Sequence, residues 1–510
     1  MLLAAQAVAL GLGGYVTLAV MAAVFLVLLT TKLSIDIVFA AGIVALVCTG
    51  TISVDTALSG FSAPVVATVG ALFFVTSGLE SSGVLRYVLV RFLGRPRSLR
   101  RALVSLSVNV SVLSAFMSNT LVVSMFTPLV KAWARRIGAA PSKLLIPLSY
   151  AACMGGICLL IGTPANLVIS EFYASATGSQ LNVFTPLVPG VCVVVFGTLT
   201  MVLLNGLLPS RKTAEDRLPP QARSYEFKVR SGSHLVGMTL GEAGVPTDDG
   251  RIRLTGILRF DGEMCASPTA DDFMMGGDTL YYSGSERHAV AVARRYGFEI
   301  PDSLSSIVTA KVTPKMLTSL AIFLAMVFVS ALTSVPLVTC ALVAALLTII
   351  CRCCTVSVAK KAISWDLLMV FACSVVLGKA VDQTGVAEVI AQGLLGWCGS
   401  SPRLALLLMC LTASILTEFV SNTACGAVLA PIAMRIAADF GLSPMPFLVG
   451  LMVCCSASFM TPIGSPTHLI ILVPGGYRFS DFLRLGVPLN CVSVAVAVFI
   501  VPCIFPFLPT

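Results

Sequence analysis

The sequence predicts an α-helical polytopic membrane protein with inverted repeats and two re-entrant hairpins, interrupted by a small α+β insert. Three observations carry that expectation: an apolar composition, one charged interruption near the middle, and a pair of motifs that recurs in the second half. Hydrophobic residues make up 57% of the 510 and charged residues only 11%, against about 25% charged in an ordinary soluble domain. Uncharged runs cover Met1 to Thr31, Ala102 to Val130, Phe172 to Ser210, Met316 to Ile350 and Leu485 to Thr510. Each exceeds the roughly 20 residues that cross a bilayer, and several are long enough to cross twice. The first run lacks a basic start and a small-residue cleavage site, so it reads as a retained span and not a signal peptide.

The charged interruption begins at Arg211 and ends near Lys315. It holds fourteen basic and fourteen acidic residues, so the net charge of +9 resides in the membrane part. Bases at membrane boundaries mark the cytoplasmic face. A nucleic-acid-binding surface would interleave bases with aromatics, and these bases sit at span ends instead, which excludes that class. Three segments are expected: residues 1–210 as the first membrane half with a hairpin near 102–130, 211–315 as a cytosolic insert, and 316–510 as the second half with a hairpin near 404–434. Within the insert, Arg251 to Phe260 alternates as a strand does, Gly276-Gly277-Asp278 signals a turn, and Ser285 to Tyr296 suits a helix.

Most of the 17 cysteines lie inside apolar runs, where they act as small hydrophobes and imply no disulfide framework. Cys351, Cys353 and Cys354 beside Arg352 suit packing, lipidation at a boundary or, least of all, a metal. The sequon at Asn109 lies within an uncharged run and is expected to stay unglycosylated.

The repeat is the most informative feature. Phe116-Met117-Ser118-Asn119-Thr120, followed by Pro128, recurs as Phe419-Val420-Ser421-Asn422-Thr423, followed by Pro431. Ile161-Gly162-Thr163-Pro164-Ala165-Asn166-Leu167 recurs as Ile463-Gly464-Ser465-Pro466-Thr467-His468-Leu469. Arg91, Arg95, Arg97, Arg100 and Arg101 precede the first Ser-Asn-Thr, and Lys131, Arg135 and Arg136 follow it. Both flanks read as cytoplasmic, so the uncharged run between them enters and leaves on one face. The second copy has only Arg403 and Arg435 at its flanks, which fits a hairpin entering from the opposite face. Inverted repeats of this kind are typical of secondary transporters; two ordinary spans with poorly placed charges is the alternative.

Irregular backbone at membrane depth is tolerated only where it is buried in protein or lines an aqueous cavity. Serine and threonine hydroxyls, asparagine amides and the free N–H groups of a helix start can together hold an oxyanion. Ser118, Asn119, Thr120, Ser421, Asn422 and Thr423 are therefore the candidate substrate-binding residues. Ser114 and Ser118, like Thr417 and Ser421, lie four apart on one helical face, an oxygen cluster suited to sodium. The Gly-Thr-Pro and Gly-Ser-Pro motifs break helices, and through Gly162 and Gly464 they supply the opposing wall of each ion site or form simple kinks. Glu418 stands where the first copy has Ala115, and it tunes a cation site or pairs with a buried donor. His468 replaces Asn166 and is the only histidine outside the insert. It titrates during coupling or stays neutral with one hydrogen bond. Lys379, Asp382 and Glu80 read as snorkelling or locally paired groups near span ends.

These residues resemble the divalent-anion:sodium symporter family, whose members carry sulfate, succinate or citrate, over nearly all of the membrane portion. Leu416 to Thr423 looks like that family's second substrate motif and Ser118-Asn119-Thr120 like its first. The resemblance implies anion contact at both tips, one sodium site at Ser114, Ser118 and Asn119, and another at Thr417, Ser421 and Asn422. It also implies a homodimer and an elevator mechanism. Residues 223–300 look like a TrkA-C regulatory domain, through Tyr225-Glu226, Leu235-Val236-Gly237, Gly277-Asp278 and Tyr282 to Ser285, which implies regulation, in some such domains through a small-molecule ligand that no residue pattern here names. Carriers with such an insert resemble the sulfate-transporter branch, so sulfate is expected before a dicarboxylate, with Na+ as coupling ion, no cofactor, and the plasma membrane as location. His468 departs from the family's asparagine and puts the second cation site in question.

Rival classes leave features unexplained. A TrkA-C-regulated channel would need a selectivity filter such as T-V-G-Y-G, and a primary pump a phosphate-binding G-x-x-x-x-G-K-[ST] loop; the sequence has neither. An enzyme built on Cys425 lacks a repeated histidine partner. An arsenite-type oxyanion efflux permease differs only in substrate and direction.

Overall fold

A computed structural model describes residues 11–30, 34–84, 98–137, 139–210, 224–230, 232–259, 264–266, 268–284, 286–299, 313–333, 335–389, 393 and 401–509. The arginines expected to orient the first hairpin, Arg91, Arg95 and Arg97, lie outside the described residues, as do Ser285 and both ends of the insert. The chain divides into two compact units, one comprising Met1–Thr127, Ser142–Pro209 and Val312–Thr510, the other Pro128–Pro141 and Ser210–Lys311.

Before the insert come α1 (Leu12–Thr30), α2 (Ile35–Cys48), α3 (Val54–Ser59), α4 (Pro64–Ser82), α5 (Leu99–Phe116), α6 (Asn119–Arg136), α7 (Leu145–Ile157), α8 (Pro164–Thr177) and α9 (Leu187–Leu203). The insert holds β1 (Ser224–Lys228), β2 (Ile252–Leu258), β3 (Met264–Ala266), β4 (Thr279–Gly284) and α10 (Glu286–Arg295). After it come α11 (Pro314–Leu332), α12 (Leu337–Ile350), α13 (Val356–Ala362), α14 (Trp365–Gln383), α15 (Pro402–Leu416), α16 (Asn422–Asp439), α17 (Met445–Cys455), α18 (Pro466–Gly475), α19 (Phe479–Ala495) and α20 (Val501–Ile504).

Prolines open α4, α8, α11, α15 and α18, where the missing N–H costs no helical hydrogen bond. Among the described residues, Val54–Ser82, Leu99–Phe116, Pro314–Leu332 and Phe479–Ile504 are long and apolar enough to cross a membrane, and α13 with α14, bent by 51°, adds a fifth candidate. Large apolar side chains face outward along these helices. Leu332 is 79% exposed and Phe499 72%, a surface that water penalises and lipid accepts.

The two halves correspond helix by helix: α5 to α9 match α15 to α19 in order. The second hairpin helix of each carries an internal proline, Pro128 in α6 and Pro431 in α16. Both α8 and α18 end at a left-handed glycine, Gly178 and Gly476, the usual way to turn out of a helix. The uncharged run Ala102 to Val130 breaks at Met117, whose backbone is extended, and Ser118, giving α5 and α6.

The insert forms a four-stranded antiparallel sheet in the order β1-β4-β2-β3. The strand read over Arg251 to Phe260 is β2, with Ile252 and Leu254 inward and Arg253 and Thr255 outward. Phe227, Leu240, Ile257, Leu280, Tyr282, Ala289 and Ala293 fill the core between sheet and α10. The turn at Gly276-Gly277 places Gly277 at φ +98°, a conformation glycine adopts without penalty.

Candidate anion and cation site

The first tip is built where α5 ends and α6 begins. Ser114, fully buried near the end of α5, donates from Oγ to Asn119 Oδ1 at 2.7 Å. Ser118 and Thr120 are exposed and Asn119 half-buried, so the polar tripeptide sits at the mouth of the break. Behind it lies a glycine stack. A Cβ on Gly156 would stand 2.7 Å from Asn119 Oδ1, and one on Gly162 would stand 2.4 Å from the Gly156 carbonyl. Only glycine at both places lets the Gly-Thr-Pro segment rest on the asparagine.

The second tip repeats the arrangement. Thr417 Oγ1 lies 2.8 Å from Asn422 Oδ1 and 2.6 Å from the Cys455 carbonyl at the end of α17, two acceptors that share its one hydrogen. Ser421 Oγ caps α16 by accepting from Ala424 N–H, the standard use of a serine at this position. Thr423 is buried, whereas its counterpart Thr120 is exposed. A Cβ on Gly464 would stand 3.0 Å from Glu418 Oε2, so this glycine rests on the carboxylate of the tip.

In both tips the asparagine amide oxygen faces a hydroxyl, an arrangement in which the Nδ2 donors are the groups able to meet an anion. The first N–H groups of α6 and α16 have no partner within their helices and add the positive end of a helix dipole.

Glu418 is enclosed and bound at both oxygens. Oε1 accepts from Met460 N–H at 2.8 Å and Asn490 Nδ2 at 2.9 Å, and Oε2 accepts from Thr461 N–H at 2.8 Å. Thr461 Oγ1 returns a hydrogen bond to the Glu418 carbonyl. The carboxylate thus ties the second tip to the unwound segment after α17. His468 is 0% exposed. Its Nε2 lies 2.6 Å from the Ser458 carbonyl, which can only accept, so Nε2 carries the hydrogen and Nδ1 accepts from Ser149 Oγ at 2.7 Å. In the first copy Asn166 Nδ2 holds the Leu159 carbonyl at 3.2 Å. Histidine and asparagine therefore do the same work, clamping a carbonyl of the unwound segment.

The halves meet at these motifs. Thr163 Oγ1 and Ser456 Oγ lie 3.1 Å apart, joining the first Gly-Thr-Pro loop to the end of α17. Cys153 Sγ lies 3.5 Å from Thr467 Oγ1, and Ser149 reaches His468 from the same helix, α7. Of the groups read near span ends, Lys379 Nζ donates to Ser59 Oγ at 2.9 Å, while Glu80 and Asp382 are exposed.

Comparison with known proteins decides the family. The family model CitMHS, described as citrate transporter, matches residues 25–395 and 332–510. The chain belongs to this family. Uncharacterized transporter YfbS of Escherichia coli (strain K12) is 26% identical over 608 residues, covering 96% of this chain and 99% of that protein. Sodium/sulfate cotransporter 1 of Chlamydomonas reinhardtii is 34% identical over 259 residues, 49% of this chain and 28% of that protein. Among solved structures, Neisseria gonorrhoeae MtrF, described with a class of antimetabolite efflux pumps, aligns at a TM-score of 0.54 and 13% identity over 98% of this chain and 96% of its own. That likeness shows the fold alone. This citrate-transporter-family chain is an integral membrane protein and a secondary transporter of anions; it is not an enzyme.

Sequence reasoning missed several residues that shape the site of this transporter. Gly156, Ser149, Ser456, Ser458 and Thr461 stand in no repeated motif. Asn490 gave a usable signal, as the one asparagine in the uncharged run from Leu485 to Thr510; it donates to both Glu418 and Ser414.

Proposed function

We propose that this transporter couples uptake of a divalent anion, sulfate before a dicarboxylate, to sodium. Ser118, Asn119, Thr120, Ser421, Asn422 and Thr423 contact the anion. Ser114, Ser118, Asn119 and Gly162 line one sodium site, and Thr417, Ser421, Asn422 and Gly464 the other. The observation that carries the proposal is the hydroxyl-to-amide hydrogen bond repeated in both tips, Ser114 to Asn119 and Thr417 to Asn422. A hydroxyl that donates its hydrogen to the amide keeps its lone pairs for a cation, and oxygen clusters at broken helices suit sodium.

Sulfate is favoured over dicarboxylates by the 34% identity to an algal sodium/sulfate cotransporter and by the insert, which we assign as a cytoplasmic TrkA-C-like regulatory domain. Sodium is favoured over protons because both ring nitrogens of His468 are engaged, so that a proton adding at Nδ1 would first displace the hydrogen bond from Ser149. The two halves act as inverted repeats with re-entrant hairpins, in a plasma-membrane homodimer that moves by an elevator mechanism.

The test is uptake of radiolabelled sulfate into proteoliposomes, with and without an inward sodium gradient and with competing succinate. Sodium-dependent uptake that succinate leaves unchanged is the expected result. Competition by succinate moves the substrate to dicarboxylates. Uptake driven by a proton gradient alone overturns sodium coupling, and no uptake under either gradient points to efflux or another anion.

A further inference from the structure

Two thiols face each other directly behind the second tip. Cys425, in the first turns of α16, and Cys455, the last residue of α17, have their sulfurs 3.3 Å apart. Both residues are 0% exposed. Cys425 also points a weak hydrogen bond at the Ala413 carbonyl of α15. The carbonyl of Cys455 holds the Thr417 hydroxyl at 2.6 Å, the same hydroxyl that reaches Asn422. The pair therefore stands where the hairpin helix, its partner helix and the end of α17 converge.

We propose that Cys425 and Cys455 form a reversible intramolecular disulfide, a modification site that holds the second tip fixed against α17. Closing the sulfurs from 3.3 Å to a bond of about 2.05 Å needs roughly 1.3 Å of movement, within reach of side-chain rotation and a small helix shift. The oxidant is a small uncharged peroxide, because a sealed pair inside an apolar bundle admits neither charged nor bulky reagents. One sulfur attacks the peroxide O–O bond, becoming a sulfenic acid and releasing water. The second thiol then displaces the sulfenic hydroxyl, so the S–S bond forms, a second water leaves, and one peroxide has taken up two electrons and two protons. Reduction by an external dithiol reverses the step. Once formed, the bond links the α16 helix to the residue whose carbonyl orients Thr417, so the tip no longer rearranges.

The experiment treats the full-length protein in proteoliposomes with hydrogen peroxide, alkylates remaining thiols in denaturant, digests it and measures peptide masses. The expected product is a peptide pair joining Cys425 to Cys455, lighter by two hydrogens than its separate parts and split by dithiothreitol. Anion uptake falls in step with that product and returns on reduction. Cys425→Ser and Cys455→Ser, each compared with its own reduced state, lose no uptake on the same treatment. Full alkylation of both thiols after peroxide, or linkage of either to a different cysteine, overturns the proposal. Equal loss of uptake in both variants overturns its effect on transport. The uptake arm rests on the transport function proposed above and the mass arm does not, so absent uptake in reduced protein counts against that function alone.

Discussion

Asn119 and Asn422 each face a hydroxyl through Oδ1, and in the proposed site their Nδ2 groups donate to the anion. Alanine at either position removes both functions and adds no clash. Asn119→Ala and Asn422→Ala are expected to abolish sodium-driven uptake while the protein still reaches the membrane fraction in normal amount. Unchanged substrate affinity in both variants would sink the assignment. His468 poses the opposite case. His468→Asn restores the residue of the first copy and is expected to keep uptake close to normal. His468→Ala leaves the Ser458 carbonyl and the Ser149 hydroxyl unpaired in the interior, at about 1–3 kcal/mol for such a group. A thermal melt in detergent should show a lower Tm for the alanine variant only; equal melts for both would mean that the clamp does not stabilise the fold. The asparagines were legible in the sequence because duplication puts the same residue twice in register. The role of His468 was not, since a substitution inside a repeat reads as a departure until the carbonyl it holds is seen. Two of the donors to Glu418 are backbone N–H groups of Met460 and Thr461, and side-chain identity cannot announce a backbone donor.

At the scale of helices, the approach of α5 to α7 decides how firmly the first tip is held. A Cβ on Gly155 would stand 2.2 Å from the Ser111 carbonyl oxygen and 2.5 Å from its Cα. Both are backbone atoms, so no rotamer change relieves the clash. Ser111 Oγ also donates to the Ala151 carbonyl, which fastens the helices at that height. Gly155→Ala is therefore expected to force them apart and to cut the yield of folded, monodisperse protein sharply. Gly70→Ala in α4 supplies the control, since a Cβ there meets nothing within 4 Å and alanine is the better helix former by up to about 1 kcal/mol. Size-exclusion profiles and melts of the two variants should diverge, and similar behaviour would remove the close-approach explanation. α8 and α18 begin at the prolines of Gly162-Thr163-Pro164 and Gly464-Ser465-Pro466, and those helix breaks were readable. The register of one helix against another was not, because a glycine in a sequence does not name the carbonyl it will touch.

For the molecule as a whole, the insert raises the question of whether the charged interruption is a domain or a long loop. It has its own apolar core around Phe227, Leu240, Ile257, Leu280 and Tyr282, and a four-stranded sheet of its own. Its most demanding interior group is Asp278, which is 0% exposed. Arg259 Nη1 reaches it at 2.9 Å and Met275 N–H donates to the same oxygen at 2.9 Å. A buried carboxylate is stable only with such partners, and removing one member of a buried pair costs about 3–5 kcal/mol. The whole stability of a small domain is roughly 5–15 kcal/mol. A fragment of residues 211–315 is accordingly expected to unfold cooperatively in urea, with circular dichroism of a mixed sheet and helix. Asp278→Ala should take from Arg259 its closest carboxylate, leaving it Asp272 at 3.8 Å and the Phe273 carbonyl, and leave the Met275 N–H unpaired, lowering the urea midpoint by a large part of its value, while Asp248→Ala, at an exposed position before β2, should shift it little. A gradual unfolding curve for the unmodified fragment would mean that this core depends on the rest of the chain. The insert would then be a structural part of the transporter and not a regulatory domain attached to it.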